Sequence, residues 1–247
     1  MAIFKAMHVA VLAAAASLGS MATAQDFQQD WEGFYAGLHL DANVYDIVIT
    51  DLNNTFLSQS PNPSVLIATG GLMGGYNYAL QGNLLIGAEL DFTSEMVYDE
   101  FFASNLAETT GTQYSLNLDS VIAIKARAAF VQGNALSFLS IGVASAAANM
   151  ESYSVDTGDG INSCEDSICA RTTDDILGLT LGAGAEWAFR ENWIGRVELQ
   201  HYAFESVQAP VQNSLGNALC GSGDTDQCTV GYTPSASSIK FGISYMF

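Results

Sequence analysis

The chain has 247 residues, with seven Lys and Arg against 26 Asp and Glu, a formal net charge of −19 and only 13% charged residues. That balance excludes a binder of phosphate backbones, which needs clustered Lys and Arg. So few charges beside 49% apolar residues and 23 glycines are also foreign to an ordinary soluble domain, whereas a membrane barrel accommodates both.

The chain begins with an export address. Lys5 gives a basic start, Ala10 to Ala16 is an apolar run, and Ala22-Thr23-Ala24 matches an A-x-A cleavage site, so residues 1–24 are expected to be a signal peptide and Gln25 the first mature residue. Ser17, Gly19 and Ser20 interrupt the apolar stretch before it reaches the roughly 20 residues a membrane anchor needs. Residues 25–247 suit one domain. Loss of Lys5 leaves six basic residues against 26 acidic ones, a net of −20.

No later segment reads as a spanning helix. The uncharged stretches Leu52 to Ala88 and Ala128 to Met150 are broken by Pro61, Pro63, Gly70-Gly71 and Gly74-Gly75, and by Gln132-Gly133-Asn134. What recurs instead, eight times, is strict alternation, which on a strand sends successive side chains to opposite faces.

The first strand sets Phe34, Ala36, Leu38, Leu40, Ala42 and Val44 against Tyr35, Gly37, His39, Asp41 and Asn43. The second, from about Ile67 to Tyr78, sets Leu72, Gly74, Tyr76 and Tyr78 against Thr69, Gly71, Met73, Gly75 and Asn77. The third has Leu84, Ile86, Ala88, Leu90 and Phe92 outside, with Gly87, Glu89, Asp91 and Thr93 inside. The fourth sets Leu118, Ile122, Ile124, Ala126, Ala128 and Phe130 against Asn117, Asp119, Lys125 and Arg127. The fifth alternates Leu139, Ile141 and Val143 with Phe138, Ser140, Gly142 and Ala144, and the sixth runs from Leu177 to Phe189 with Thr180 and Glu186 on its polar face. The seventh sets Trp193, Val197 and Leu199 against Arg196, Glu198 and Gln200. The eighth sets Ile239, Phe241, Ile243, Tyr245 and Phe247 against Lys240, Gly242 and Ser244.

Every charge in these strands falls on the polar face. A soluble sandwich would meet water with that face and carry many Lys and Glu on it. Here it is rich in glycine and small residues, as the crowded inside of a narrow barrel requires. The expected fold is therefore all-β, an eight-stranded antiparallel transmembrane barrel. Glu89, Asp91, Lys125, Arg127, Glu186, Arg196, Glu198 and Lys240 are expected to form an internal ion network, because buried charges must be paired.

Connection lengths orient the barrel, since outer-membrane barrels have short periplasmic turns and long outer loops. The short connections are Leu80 to Asn83, Gln132 to Ala135 and Arg190 to Asn192. Those near 46–64, 94–113, 147–175 and 203–236 are long and polar, and are expected to be four extracellular loops. Trp31, Trp187 and Trp193 fall at the turn ends of strands, where an aromatic girdle marks an interface.

Cys164, Cys169, Cys220 and Cys228 would meet an oxidising compartment that allows disulfides. Zinc is the rival, but neither spacing is C-x-x-C and no histidine is close. Three pairings exist. The local one, Cys164–Cys169 with Cys220–Cys228, closes short rings without docking one loop on another.

In order along the chain, Trp31-Glu32-Gly33-Phe34-Tyr35-Ala36-Gly37 resembles a W-x-G-x-Y-x-G opening strand, Gly74-Gly75-Tyr76-Asn77-Tyr78 a G-Y-N strand end, and Gly87-Ala88-Glu89-Leu90-Asp91 a G-x-E-x-D strand. Gly182-Ala183-Gly184-Ala185-Glu186, Asn192-Trp193 with Glu198, and Lys240 to Phe247 continue the series. Together they resemble the small porin-family surface proteins of Gram-negative bacteria, which carry the outer membrane β-barrel domain. The resemblance covers the whole mature chain. It implies a place in the cell outer membrane, contact with its lipid and lipopolysaccharide, and Phe247 as the signal read by the barrel-assembly machinery.

The family name implies a porin-type pore, yet eight strands enclose a space just wide enough for their own side chains. An integral barrel with a structural and surface-exposed role and a filled interior is therefore the leading reading. A narrow ion pore and loop-mediated adhesion or ligand binding are the alternatives. No cofactor is implied, and His39 reads as an interior residue rather than a haem ligand. No enzyme is expected. His201 would sit on the lipid face near the outer leaflet, but its same-face neighbour Ala203 is not the serine a Ser-His pair needs. Asp156, Asp159, Glu165 and Asp166 could offer carboxylates to Ca²⁺ or Mg²⁺, bridging the acidic third loop to anionic lipopolysaccharide. The regular D-x-D-x-D-G spacing is absent, and a solvated acidic loop is the other reading.

Overall fold

A strand with one apolar and one polar face must pair along both edges, and a sheet of such strands removes its free edges only by closing on itself. The computed structural model describes residues 29–51, 64–103, 110–156, 168–213 and 229–247. These form β1 (Gly33–Asp51), β2 (Ser64–Ala79), β3 (Leu84–Thr93), β4 (Met96–Ala103), β5 (Thr110–Leu118), β6 (Val121–Gln132), β7 (Ala135–Asp156), β8 (Cys169–Arg190), β9 (Trp193–Phe204), β10 (Val207–Gln212) and β11 (Thr229–Met246).

All pairing is antiparallel, and the ring runs β1-β2-β3-β6-β7-β8-β9-β11 and back to β1, where the register extends from Tyr35↔Met246 to Asp51↔Val230. The ring thus has eight strands. The other three are continuations of its members: β4 resumes β3 past Ser94-Glu95, β5 runs into β6 across Asp119-Ser120, and β10 resumes β9 past Glu205-Ser206. Tight turns close the other end, with positive φ at Gly82, Gly133 and Asn192, the backbone region that Gly and Asn enter most readily.

The outward faces carry a belt of exposed apolar side chains, from Phe34, Tyr78 and Trp193 near the turns to Leu40, Leu72, Ile122 and Leu177 higher up. On β1 the belt spans about ten residue steps, from Phe34 to Val44. At ~3.3 Å per residue and a tilt of ~40° that is roughly 25 Å, the height of a barrel's lipid-facing band.

Three sequence expectations need correction. Among the described residues, the stretches expected to be long outer loops carry strand at their ends: β1 continues to Asp51, β7 to Asp156, and β4 pairs with β5 as a hairpin. The physical reason is an inversion of pattern. Past the belt, Tyr45, Ile47 and Ile49 still alternate along β1 but face inward and are buried, while Asp46 and Thr50 face out. Val48 is the one apolar side chain facing out on this stretch of β1, and the apolar residues otherwise turn inward where the outside is water.

Leu118 faces inward and is fully buried, and Asp119 does not join the interior. The break at Asp119-Ser120 shifts the alternation by one residue, so even-numbered positions face inward before it and odd-numbered ones after it. Asp119 instead accepts a hydrogen bond from Asn149 Nδ2 at 3.5 Å. Lastly, Trp31 is no girdle residue. It has the parity of inward-facing Tyr35 and is buried inside the turn end of the barrel, where its Nε1 donates to the Gly133 carbonyl at 3.0 Å. The girdle is left to Trp187, Trp193, Tyr245 and Phe247, the last three in edge-to-face contact.

Candidate functional site

Inward-facing positions of the ring strands stack in tiers. At the turn end lies an apolar tier of Trp31, Leu85, Ala129, Leu136, Ile194 and Met246. At the far end lies a larger one that includes Tyr45, Ile47, Ile49, Leu116, Leu118, Val121, Met150, Ile176 and Phe204. Burial there pushes the Tyr114 phenol up to about 12, and likewise raises that of Tyr232, which meets Ser152 Oγ at 2.6 Å.

Between the apolar tiers sit the charges. All eight residues expected to form the ion network lie here and are buried. In the lower charged tier Arg127 grips Glu186 through two guanidinium nitrogens, at 3.0 and 2.9 Å. Arg196 bridges Glu186 and Glu89, its Nε donating to Glu186 Oε1 at 2.7 Å and its NH2 to Glu89 Oε2 at 2.6 Å. Bidentate and bridging arginines are the strong form of the ion pair. In the upper tier Lys240 donates to Asp91 at 2.8 Å, and Lys125 reaches Glu89 at 2.7 Å, Asp91 at 3.2 Å and Glu198 at 3.5 Å.

Three further members had weaker sequence signals. Tyr35 donates its hydroxyl to Glu89 at 2.6 Å and accepts from Arg127 at 3.0 Å. The Phe138 ring lies 4.4 Å from the Arg127 guanidinium carbon and 5.0 Å from that of Arg196, a cation–π contact with both. His39 meets Asp41 at 2.7 Å through Nδ1. Inward parity was readable for all three, but Tyr35 meets Glu89 and Arg127 across 54 and 92 residues of chain and Phe138 meets Arg196 from a distant strand, contacts that closure brings about, whereas Asp41 lies two residues from His39 on the same strand.

Glycine makes room for these side chains. A Cβ at Gly71 would collide with the Phe92 carbonyl and lie 2.5 Å from the His39 ring, and one at Gly184 would lie 2.7 Å from the Phe138 ring. The polar face is glycine-rich for this reason.

His201 is exposed at the upper edge of the lipid-facing belt, and its Nδ1 lies 2.9 Å from Ser237 Oγ. Along its own strand the same-face neighbour of His201 is Ala203. The serine comes from across the ladder, where Ser237 is the register partner of His201.

Of the candidate loop residues, Cys164, Cys220, Cys228, Asp159, Glu165 and Asp166 lie outside the described residues. Asp156 ends β7, and Cys169 opens β8 in a buried position. Phe247 follows β11 and donates its backbone N–H to the Phe34 carbonyl at 2.9 Å.

A family model described as "Outer membrane protein beta-barrel domain" matches residues 10–247. Among solved structures, the chain is similar to Neisserial surface protein A at 12% identity, covering 87% of this chain and 97% of that one, with a TM-score of 0.42. It is similar to the outer membrane protein OprG of Pseudomonas aeruginosa at 11% identity, covering 90% and 100%, with a TM-score of 0.48. Similarity to Ail, the attachment invasion locus protein of Yersinia pestis, is 8% in identity over 85% and 99% of the two chains, with a TM-score of 0.36. No curated protein matches the chain.

Proposed function

Because this chain belongs to the outer membrane β-barrel domain family, we propose that it is an integral outer-membrane barrel with a structural, surface-exposed role and an interior closed to diffusion. The observation that carries the reading is the stacking of a paired charged tier between two buried apolar tiers. An ion crossing the bore would have to displace Trp31, separate Arg196 from Glu89 and Glu186, and then traverse an apolar zone. The continuation of the strands past the lipid belt supports a role at the cell surface, with lipopolysaccharide as its surroundings.

The test is conductance. The purified barrel in a planar bilayer is expected to give no unitary currents. Steady steps from single barrels would establish the narrow ion pore instead.

Catalysis is not part of this reading. Ser237 and His201 lie inside the ladder, Ser237 paired on both sides with Val44 and His201. Their backbone N–H groups therefore serve the sheet rather than an oxyanion.

We further propose that residues 1–24 are removed on export, that Phe247 is read by the barrel-assembly machinery, and that the cysteines pair locally. A non-reducing peptide digest read by mass spectrometry is expected to yield Cys164–Cys169 and Cys220–Cys228. A peptide joining the third and fourth loops would overturn that pairing.

A further inference from the structure

The charges inside the barrel do not balance. In the lower tier Arg127 and Arg196 neutralise Glu89 and Glu186, whereas the upper tier sets Lys125 and Lys240 against Asp41, Asp91 and Glu198. Among the described residues, four buried Lys and Arg thus face five carboxylates, with the His39 ring 2.7 Å from Asp41 and 3.8 Å from Asp91.

Next to that tier runs a row of three amide and hydroxyl side chains. Asn43 on β1, Ser238 on β11 and Gln200 on β9 are successive register partners, and all are at most 3% exposed. Partners on one face of antiparallel strands have Cβ atoms about 5 Å apart, so the three side chains adjoin. Both amides turn their nitrogens away from the middle of the row: Asn43 Nδ2 donates to Thr69 Oγ1 at 2.8 Å, and Gln200 Nε2 to Thr180 Oγ1 at 2.7 Å. Among the described residues, Asn43 Oδ1, Gln200 Oε1 and Ser238 Oγ are left without a hydrogen-bond partner.

Two residues below Asn43 on the same face, Asp41 Oδ2 is also without one, with Lys240 Nζ 3.5 Å away. One row above, the hydroxyl of Tyr45 is also without a partner among the described residues.

Buried acceptors without donors are costly, and a buried charge without a counter-charge more so. Oxygen acceptors beside a surplus negative charge are the ligand set of a hard cation. A divalent ion would overshoot the single surplus charge and leave a net positive interior.

We propose that Asn43 Oδ1, Ser238 Oγ and Gln200 Oε1, with the Asp41 carboxylate supplying charge, bind one monovalent alkali cation, represented by sodium, between the charged tier and the outer apolar tier. The proposal rests on the closed interior argued above. The two fail differently: an open bore gives conductance, whereas a cage holding only water gives a silent barrel whose stability ignores sodium.

The experiment refolds the barrel from urea into detergent in sodium chloride or choline chloride at equal ionic strength, so that a buried ion can equilibrate, and follows the thermal midpoint. Sodium is expected to raise the midpoint with saturation. Gln200→Met, which removes one ligand, and Asp41→Asn, which removes the charge, are each expected to abolish that rise. A wild-type midpoint equal in the two salts would overturn the proposal, leaving trapped water as the partner of these oxygens. A rise that survives in both variants would also overturn it, placing the ion on the acidic outer surface. Stability that follows the protonation of His39, absent in His39→Gln and indifferent to sodium, would identify imidazolium as the missing cation and overturn it as well.

Discussion

Arg127→Glu is expected to lower the urea midpoint of the detergent-folded barrel far more than Glu151→Lys does. Arg127 holds Glu186 through two hydrogen bonds and lies 3.5 Å from Glu89. The substitution deletes a buried cation and puts a third carboxylate beside the two already there. Removing one partner of a buried pair costs about 3–5 kcal/mol, because the charge left behind has neither water nor a counter-ion. Arg196 can still neutralise part of that charge, since it contacts both Glu89 and Glu186. Glu151 lies on the outward face past the lipid belt, opposite Arg171, where a single substitution is worth within about 0.5 kcal/mol. Urea titrations followed by tryptophan fluorescence would compare them, and equal midpoints would refute the structural weight given to the network.

The second large effect is expected from Trp31→Ala. This ring fills the turn end of the barrel among Tyr35, Leu85, Leu136, Phe138 and Ile194, and ties the β6–β7 turn down through Gly133. Gln29 adds two bonds at the same end, to Asn134 and Asn192. Truncating a buried aromatic typically costs about 3–5 kcal/mol, so the urea midpoint should fall sharply. Conductance should nevertheless stay absent, because the charged tier and the outer apolar tier remain. A Trp31→Ala barrel of unchanged stability would mean that the ring caps the bore without supporting it. Stable unitary currents from that variant would make residue 31 the barrier and the tiers above it permeable.

How much was legible before the fold was known depended on what surrounds each residue. Where lipid lies outside, the pattern is unambiguous: Leu38, Leu90, Ile124 and Phe241 alternate with His39, Glu89, Lys125 and Lys240, and such alternation has one stable outcome in a membrane. The turns at Gly82, Gly133 and Asn192 were legible too, because Gly and Asn tolerate backbone that other residues avoid. Residues past the belt misled. Tyr45, Ile47 and Ile49 obey the soluble rule, apolar side inward, in a chain whose lower half obeys the opposite one. Trp31 was misread because tryptophan is equally at home in an interfacial girdle and in a packed interior, and only its parity with Tyr35 separated the two.

By itself, then, the sequence determined the all-β class, the eight strands of the ring and the two faces of each strand within the belt. These follow from local periodicity and from the cost of exposing charge to hydrocarbon. The tertiary structure alone decided who partners whom. Arg196 meets Glu89 across 107 residues of chain and Lys240 meets Asp91 across 149, and the serine beside His201 lies 36 residues onward rather than two. Register and closure set those distances, and no periodicity within a single strand contains them. The row of orphaned oxygens on Asn43, Ser238 and Gln200 is of the same kind, since each residue read alone is an unremarkable polar side chain facing inward.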